Sequence, residues 1–415
     1  MRNKKKITLT ASFALLLSLT GCGMPNFNSK SNEKITIETV NEDATATDSQ
    51  SMSTADLYNS DEVDKKISEI EMYIDQAFYF DTDKDKQEEA LYDGIMNGLD
   101  DPYSVYYTKE EYESLMEEDS GEYCGIGALV TQDEQKRVSI VRPFEGSPAE
   151  EAGLQAGDII VQVDDVVIVD QDLESVVKLL KGEEGTVVHV KYYRNGDADY
   201  TETDITRRKI ENSTVSAKIL DENLGYISVE QFYMNTDELF IQEYDKLIEA
   251  GVDGVIIDLR DNPGGLVDTV LNMCDYIMED GQTMLSVKDR DDNVISDYKS
   301  NDKHSVDMPM VVLVNGNSAS ASEIFAGAMK DLGLATIVGT TTFGKGIVQS
   351  VIPLSDGSAI KLTIAKYFTA GGNDIHQVGI EPDYVVELKD GRMNAVNLDP
   401  EEDYQLQKAI ELLSK

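Results

Sequence analysis

The chain has 415 residues, of which 41% are hydrophobic, and its formal net charge is −43 at pH 7. This length and composition predict a globular protein of two or three domains with true hydrophobic cores. The large negative charge argues against binding to nucleic acid, and against electrostatic attachment to a membrane surface, because both present phosphate groups.

The first 23 residues have the pattern of an export signal: a basic start, a short apolar segment and an end made of small residues. The sequence LTGC at Leu19–Cys22 resembles the bacterial lipobox, in which the signal is cut before the cysteine and that cysteine is lipidated. We therefore expect residues 1–21 to be a lipoprotein signal peptide and Cys22 to carry the lipid. An ordinary secretory signal with an incidental cysteine is the alternative.

Two segments follow the signal. Residues 22–55 are polar and rich in Ser, Thr, Asn and Asp, which predicts a flexible tether. Residues 56–118 have apolar residues at helical spacing and form a helical N-terminal region, in which we expect packing and no chemistry. The spacing is seen at Val63, Ile67, Ile70, Tyr73, Ile74, Ala90, Leu91, Ile95 and Leu99.

Residues 119–208 read as a small β-rich domain, because short runs of β-branched residues alternate with turn signals. The segment SPAEEAGLQAGDIIVQVDD resembles a PDZ domain of the bacterial protease type, and Gly125, Ile126, Gly127 and Ala128 match the position of its carboxylate-binding loop. Successive N–H groups in such a loop can bind a terminal carboxylate, while a neighbouring strand edge pairs with an extended peptide. A simple β-turn is the alternative.

We expect an apolar pocket beside this loop, which would favour substrates with apolar final residues. Its predicted wall consists of Ile126, Leu129, Val176, Val177 and Leu180.

Residues 209–395 alternate between strand and helix signals, which predicts an α/β core, and residues 396–415 predict a C-terminal amphipathic helix. Within the core, the buried strand GVIIDLR leads into the turn DNPGG at Asp261–Gly265, which opens a helix. We interpret Cys124 and Cys274 as buried thiols that belong to different domains, and a disulfide between them is the alternative, which nothing in the sequence indicates.

The stretch Asn315–Gln349 contains the chemistry. A short apolar strand, MPMVVLVN, leads into a cluster of serines, and the helix SASEIFAGAMKDLG follows and is expected to stop at Gly333. Such a strand-to-helix turn offers a hydroxyl nucleophile and backbone N–H groups at the point where an oxyanion could form.

A serine nucleophile needs a base. None of the three histidines, His189, His304 and His376, is marked as a base by its neighbours. Lys345 lies between two glycines with apolar flanks, where burial would disfavour its charged form, as a lysine base requires. If GIVQSVIP is a strand, Gln349 lies on the same face as Lys345 and could hold its amine.

The motifs N-x-x-S-A-S-A-S-E-I, T-F-G-K-G-x-V-Q and D-L-R-x-N-P-G-G resemble those of the carboxy-terminal processing (tail-specific) proteases, and they occur in the right order along the chain. These are serine peptidases of the Ser/Lys-dyad type with an inserted PDZ domain, and the resemblance extends from about Leu91 to Asp383. It implies an α/β protease core of the crotonase/ClpP-like type. It also implies that Ser320 is the nucleophile, Lys345 the base and Gln349 the third catalytic residue.

In that family, the oxyanion hole combines the N–H after the nucleophile with a glycine N–H of the D-L-R-x-N-P-G-G motif. These positions correspond here to Ala321 and to Gly264 or Gly265. A turn that needs glycine for its backbone angles is compatible with this role. One departure concerns Lys181, where family members often have arginine: lysine keeps the charge but loses the bidentate geometry. If this position transmits peptide binding to the dyad, as in some relatives, the coupling is expected to be weaker here.

The resemblance implies a serine endopeptidase that recognises the free C-termini of protein or peptide substrates, and the predicted pocket wall favours apolar ones. With the lipobox, it predicts attachment to the extracytoplasmic face of a bacterial cell membrane through the lipid anchor. No metal and no organic cofactor is implied, no nucleic acid is an expected partner, and homo-oligomerisation stays open.

Three alternatives remain open at the level of the sequence. The chain could be a catalytically silent extracellular PDZ lipoprotein that binds peptides. The segment Gly339–Lys345 nearly matches the phosphate-binding pattern G-x-x-x-x-G-K-[ST], but Gly346 replaces the hydroxyl residue, and a strand follows where a helix is needed. Finally, His376 with Asp374 could serve Ser320 in place of Lys345.

Overall fold

The computed structural model describes residues 60–389 and 402–414, apart from residues 134, 145, 169, 198, 212–213 and 302–305. The predicted signal peptide, Cys22 and the predicted tether therefore lie outside the described residues. The chain divides into two compact units, one ending at Tyr106 and a larger one that begins, within the described residues, at Tyr107.

The smaller unit contains two helices, α1 (Ser60–Ala77) and α2 (Lys84–Asn97), and β1 (Val105–Tyr107) lies at its boundary in the sequence. Asp83 caps α2 by accepting a hydrogen bond from the Lys86 N–H at 3.1 Å. The predicted helices are present, but several apolar residues expected to pack are exposed. Two helices offer each other too little surface to cover both apolar faces. The exposed residues include Ile70, Tyr73, Leu91, Ile95 and Leu99.

The larger unit begins with α3 (Lys109–Ser120), which Thr108 and Glu111 cap reciprocally. After it, β2 (Glu122–Gly125) pairs with β9 (Arg208–Glu211) in a two-stranded antiparallel ribbon. The residues between these two strands form an inserted domain.

The inserted domain is an antiparallel sheet with two helices. Its strands follow the spatial order β3-β4-β5-β7-β8, with β6 paired to β5. Side chains alternate as in a half-buried sheet: on β7, Val188 and Val190 are buried in the core of the domain, whereas Val187 is exposed. The elements are β3 (Ala128–Gln132), β4 (Val138–Pro143), α4 (Pro148–Glu151), β5 (Ile159–Val163), β6 (Val166–Val167), α5 (Leu173–Leu180), β7 (Val187–Tyr193) and β8 (Thr201–Thr206).

The main sheet of the core has the order β10-β11-β12-β15-β16-β19 and is parallel except for the β10–β11 pair. Every residue of β12 and β15 is buried, because helices cover both faces of the sheet. The strands are β10 (Val215–Ile219), β11 (Leu224–Val229), β12 (Gly254–Asp258), β15 (Met310–Val314), β16 (Thr336–Gly339) and β19 (Tyr384–Val385).

Helices α6 (Thr236–Ala250), α7 (Val267–Ile277) and α8 (Ala321–Asp331) cover one face of this sheet. Val255 and Ile257 point into that cluster, whereas Ile256 between them points to the other face, against α9 (Tyr404–Leu413). This alternation is the two-residue period of a strand buried on both sides.

A second, antiparallel sheet supplies further residues to the α6–α8 cluster, among them Leu285 and Tyr367. Its strands are β13 (Thr283–Lys288), β14 (Val294–Lys299), β17 (Ile347–Pro353) and β18 (Ala359–Thr369). β18 pairs with both β13 and β17, and β14 pairs with β13.

A buried ion network joins α9 to the end of β12. The Arg260 guanidinium donates to the Asp403 carboxylate at 2.8 and 2.9 Å and, through Nε, to Asp258 at 2.9 Å. Burial alone would lower the pKa of Arg260, but the two carboxylates raise it above its usual range. These ion pairs hold α9 against the end of β12, the strand that leads into the turn at residues 261–265.

Candidate active site

Three turns meet at the carboxyl ends of the parallel strands, where α/β sheets usually place their sites. We call them the glycine turn (residues 261–265, after β12), the serine turn (residues 315–320, after β15) and the lysine turn (residues 340–346, after β16). Hydroxyl groups join the first two, since Ser318 Oγ donates to the Leu259 carbonyl at 2.7 Å and Ser322 Oγ to the Asn262 carbonyl at 2.9 Å.

Ser320 has backbone angles that serine rarely adopts, with φ +54° and ψ −113°. Such a conformation costs about 1–3 kcal/mol and persists only where neighbours enforce it. Here the Ser320 carbonyl accepts from the Glu323 N–H at 2.8 Å and from the Tyr367 hydroxyl at 3.1 Å. Burial, followed by the charge of Glu323, raises the pKa of Tyr367, which therefore remains a hydrogen-bond donor.

Glu323 connects the serine turn to the lysine turn. Its fully buried carboxylate accepts hydrogen bonds through Oε2 from the Ser320 N–H at 2.9 Å and from the Lys345 N–H at 2.8 Å. Oε1 accepts from the Gly344 N–H at 2.7 Å and from Thr342 Oγ1 at 2.6 Å. One oxygen atom thus lies between the backbones of the predicted nucleophile and the predicted base.

Sequence reasoning did not assign this role to Glu323. A glutamate three residues after a serine at a helix start is a capping-box pattern, and that signal was available. The pattern predicts only the bond back to the Ser320 N–H, because the lysine turn lies about twenty residues further along the chain.

Gly344 allows the lysine turn to approach a second loop. A β-carbon there would lie 3.0 Å from the backbone nitrogens of Val378 and Gly379, and Gly344 has φ +90°. The Gln377 N–H donates to the Gly344 carbonyl at 2.7 Å. Both the close approach and the positive φ require glycine at this position. The lysine turn is thus held by Glu323 on one side and by the loop that contains Gln377 on the other.

Gln349 lies on β17, half-buried, and its Nε2 is 3.4 Å from Thr363 Oγ1 on β18. The strand begins at Ile347, and its pairing with β18 is irregular between Val348 and Gln349. A bulge at this point changes the side to which the following residues point, so counting residues from Lys345 does not determine the face of Gln349.

The two alternative sites find little support. Lys345 is followed by the strand β17, whereas a phosphate-binding loop needs a helix there. Asp374 accepts from the backbone N–H of His376 at 2.9 Å, and His376 Nδ1 has no hydrogen-bond partner in the described part of the chain. Asp374 therefore does not orient the His376 ring as a catalytic base.

The glycine turn contacts Ser320 directly. A β-carbon at Gly264 would lie 2.8 Å from Ser320 Cβ and 3.1 Å from the Ala321 nitrogen, so only glycine fits. The Gly264 N–H donates to Asn262 Oδ1 at 2.9 Å. The N–H groups of Gly265 and Ala321 have no hydrogen-bond acceptor among the residues that the structure describes.

The predicted carboxylate-binding loop has its carbonyl groups engaged and two N–H groups available. The Ile126 carbonyl accepts from the Ala149 N–H at 2.7 Å, and the Gly127 carbonyl accepts from the Phe144 N–H at 2.9 Å. The N–H groups of Ile126 and Gly127 have no acceptor within the described ranges. Ala128 begins β3, which lies at the edge of its sheet.

The predicted pocket wall divides into two groups. Ile126, Val176 and Leu180 are buried in the core of the inserted domain. Leu129 and Val177 are half-exposed. The latter two are therefore the residues of the predicted wall that can contact a ligand without rearrangement of the core.

Lys181 caps α5 and is 5% exposed. Its ammonium lies 3.8 Å from Glu117 Oε2 and 4.3 Å from the ring centre of Tyr123. Burial lowers the pKa of Lys181 to about 8, and Glu117 and Glu118 oppose this shift. This position thus carries a buried and poorly solvated charge next to the ribbon strand β2.

Cys124 and Cys274 are both buried, as predicted, and no disulfide joins them. Of the helices described, none combines the length and the apolarity needed to cross a bilayer.

Comparison with known proteins identifies both parts of the larger unit. Residues 223–386 match Peptidase family S41, and residues 139–194 match a PDZ domain. A CtpA-like serine protease of Staphylococcus haemolyticus is 39% identical over 321 residues, which are 77% of this chain but 64% of the relative. The carboxy-terminal processing protease CtpA of Bacillus subtilis is 35% identical over 325 residues, 78% of this chain and 69% of the relative.

A solved structure has the same fold. A Bacteroides fragilis protein assigned to the S41 proteases is 17% identical, with a TM-score of 0.51 over 78% of this chain and 90% of that chain. The resemblance drawn from the sequence motifs and the α/β core with an inserted PDZ domain are both confirmed. The chain belongs to peptidase family S41, among the CtpA-like carboxy-terminal processing serine proteases.

Proposed function

We propose that this protein is an exported, membrane-anchored serine endopeptidase that binds substrate C-termini through its PDZ domain and cleaves by a Ser320–Lys345 dyad. The observation that carries the proposal is the shared oxygen of Glu323, which binds the backbone N–H groups of both residues at 2.9 and 2.8 Å. A buried carboxylate in that position holds a nucleophile and a base together from two distant parts of the chain.

In the proposed reaction, Ser320 Oγ attacks the scissile carbonyl while neutral Lys345 accepts the hydroxyl proton. Lys345 then gives this proton to the leaving amine, the C–N bond breaks and an acyl-enzyme remains. Water then attacks the acyl-enzyme while Lys345 accepts its proton, and Lys345 returns this proton to Ser320 Oγ as the acyl C–O bond breaks. The carboxylic acid product leaves, and the Ser320 hydroxyl and neutral Lys345 are regenerated. We assign Gln349 to the orientation of the Lys345 amine.

The oxyanion is expected to bind the N–H groups of Ala321 and Gly265. Gly264 lies closer to Ser320, but its N–H already donates to Asn262. The Gly265 N–H has no acceptor within the described residues, which supports it as the second donor. Each such donor contributes about 3–4 kcal/mol of transition-state stabilisation in comparable enzymes.

For substrate capture, the two available N–H groups of Ile126 and Gly127 support binding of a terminal carboxylate. The edge of β3 can add the substrate tail as a further strand, with Leu129 and Val177 beside its final side chain. Such docking would select substrates by their tails.

The catalytic proposal is tested by Ser320→Ala, Lys345→Ala and the double variant. We expect each single change to remove nearly all peptidase activity and the double variant to lose little more, because the two residues act as one unit. A fluorophosphonate probe distinguishes a protease from a silent PDZ lipoprotein: it should label the wild type and fail with Ser320→Ala. Additive losses would indicate a different base.

The anchor is tested separately with Cys22→Ser. Lipidation of Cys22 would hold the protein at the extracytoplasmic face of the membrane. The variant should leave the membrane fraction or keep its signal uncleaved. A cleaved Cys22→Ser protein that stays on the membrane would contradict the lipoprotein assignment and leave the catalytic proposal untouched.

A further inference from the structure

Phe343 has the most exposed side chain among the described phenylalanines of the larger unit, at 54%. Phe232, Phe240 and Phe325 in the same unit are fully buried. Exposing a phenyl ring forgoes about 1.5–3 kcal/mol of burial free energy. Since single exposed apolar residues are common on protein surfaces, the position of Phe343 must decide its role.

That position is fixed beside the nucleophile. The Phe343 N–H donates to the Ser318 carbonyl at 3.0 Å, two residues before Ser320. Its neighbours Thr342 and Gly344 both donate to Glu323. The backbone on either side of Phe343 is therefore held by the same groups that hold the dyad, and its ring can bind a ligand with little loss of backbone entropy.

A second exposed apolar side chain comes from a loop that contacts the lysine turn. Val378 is 69% exposed, and its N–H donates to the Ile375 carbonyl at 3.0 Å. Gly344, next to Phe343, is the point of contact: its carbonyl accepts from Gln377, and a β-carbon on it would lie 3.0 Å from the Val378 nitrogen. Phe343 and Val378 thus come from two touching turns at the edge of the site.

We infer that Phe343, together with Val378, determines specificity by contacting the side chain of a substrate residue next to the scissile bond. This surface selects an apolar residue at that position over alanine and over a charged residue, because only an apolar side chain gains by covering the ring. The inference rests on the proposed function, since it requires cleavage at Ser320. Phe343 and Val378 would select which bond is cleaved, whereas the PDZ domain would select which C-terminal tail is bound.

The test starts with the full chain and an unfolded protein substrate, whose cleaved bonds are mapped by mass spectrometry. Peptides around one such bond then carry Leu, Ala or Asp either just before or just after it. For Phe343→Ala, the ratio of kcat/KM for Leu over Ala should fall about tenfold or more at one of these two positions. Phe343→Leu should retain most of the preference, and Val378→Ser should lose part of it. Val294→Ser changes an equally exposed residue on the edge strand β14 and is the matched control.

The outcomes separate three cases. A shifted Leu/Ala ratio with normal fluorophosphonate labelling of Ser320 supports the inference. An unchanged ratio, or an equal loss for all peptides with slower labelling, overturns it, because Phe343 would then have no role or only support the dyad. If the wild type neither cleaves nor reacts with the probe, the proposed function itself fails.

Discussion

The sharpest perturbation of this site is Glu323→Gln, which keeps the size of the side chain and removes one acceptor atom. The carboxylate accepts four hydrogen bonds, two on each oxygen. A glutamine amide has one oxygen and one NH₂ group. After the substitution, the two groups that donated to one of the carboxylate oxygens would therefore point at the NH₂ group, which is itself a donor. The cost depends on which oxygen position the NH₂ group takes.

If NH₂ replaces Oε2, the N–H groups of Ser320 and Lys345 both lose their acceptor. If it replaces Oε1, only the Gly344 N–H does, because the Thr342 hydroxyl can turn and accept. The second arrangement is the less costly one. One unsatisfied buried N–H costs about 1–3 kcal/mol, and loss of the charge weakens each remaining bond by about 1 kcal/mol, so we expect a total of roughly 3–5 kcal/mol.

The kcat/KM of Glu323→Gln should fall by more than its loss of folding stability would explain. A displacement of about 1 Å between nucleophile and base can reduce the rate about 100-fold, and the Glu323 carboxylate is what holds these two backbones together. We expect kcat/KM to drop at least 100-fold at a temperature where circular dichroism shows a folded protein. Slower fluorophosphonate labelling of Ser320 would locate the defect in the dyad.

Glu238→Gln makes the same chemical change on the exposed side of α6 and serves as the control. It should leave activity and unfolding unchanged. A Glu323→Gln enzyme with kcat/KM within threefold of the wild type would refute the claim that this carboxylate positions the dyad, whatever its effect on stability.

Three further predictions follow from buried charges and available amides. Arg260→Leu leaves Asp258 and Asp403 buried without their cation, so unfolding in urea should be easier by about 3–5 kcal/mol, while Arg290→Leu on the surface should change little. Since the pKa of Lys181 is lowered to about 8, the folded state binds fewer protons than the unfolded state between pH 8 and 10.5. Stability should therefore rise across that range, by up to about 3 kcal/mol more in the wild type than in Lys181→Met, and parallel pH profiles of the two would contradict this. Finally, C-terminal amidation of a substrate peptide should weaken its binding about 10–100-fold if Ile126 and Gly127 bind the carboxylate; equal binding of both forms by calorimetry would rule the loop out.

The sequence was informative wherever a physical signal is local. The buried strands β12 and β15 were visible as continuous apolar runs, and the glycines of the turn at 261–265 marked a backbone that no other residue fits. The change of hydrophobic period locates the serine cluster between a strand and a helix, and the structure has it there, between β15 and α8.

Contacts between segments that lie far apart in the sequence could not be predicted. Asp403 lies in the C-terminal tail, 143 residues from Arg260, and nothing in its own neighbours indicates an ion pair with the end of β12. The exposed apolar residues of α1 and α2 could not be predicted either. Periodicity predicts which side of a helix is apolar, but not whether another part of the protein covers that side. Pairing and covering are properties of the tertiary fold.

The loop before α6 contacts two segments: the end of α3, which precedes the inserted PDZ domain in the chain, and the glycine turn. On one side, the Tyr233 hydroxyl donates to Glu118 at 3.3 Å and the Met234 N–H donates to the Asp119 carbonyl, both at the end of α3. On the other side, the Phe232 N–H donates to the Gly264 carbonyl of the glycine turn at 3.1 Å, and the Phe232 carbonyl accepts from the N–H of Leu266, which follows this turn, at 2.8 Å. A bound tail can change the rate only through contacts that differ between two arrangements of the protein. If tail binding moves α3, these bonds carry the movement to the amides that we propose bind the oxyanion. Regulation is then expected to act on transition-state stabilisation and to leave the Glu323 hydrogen bonds to Ser320 and Lys345 in place.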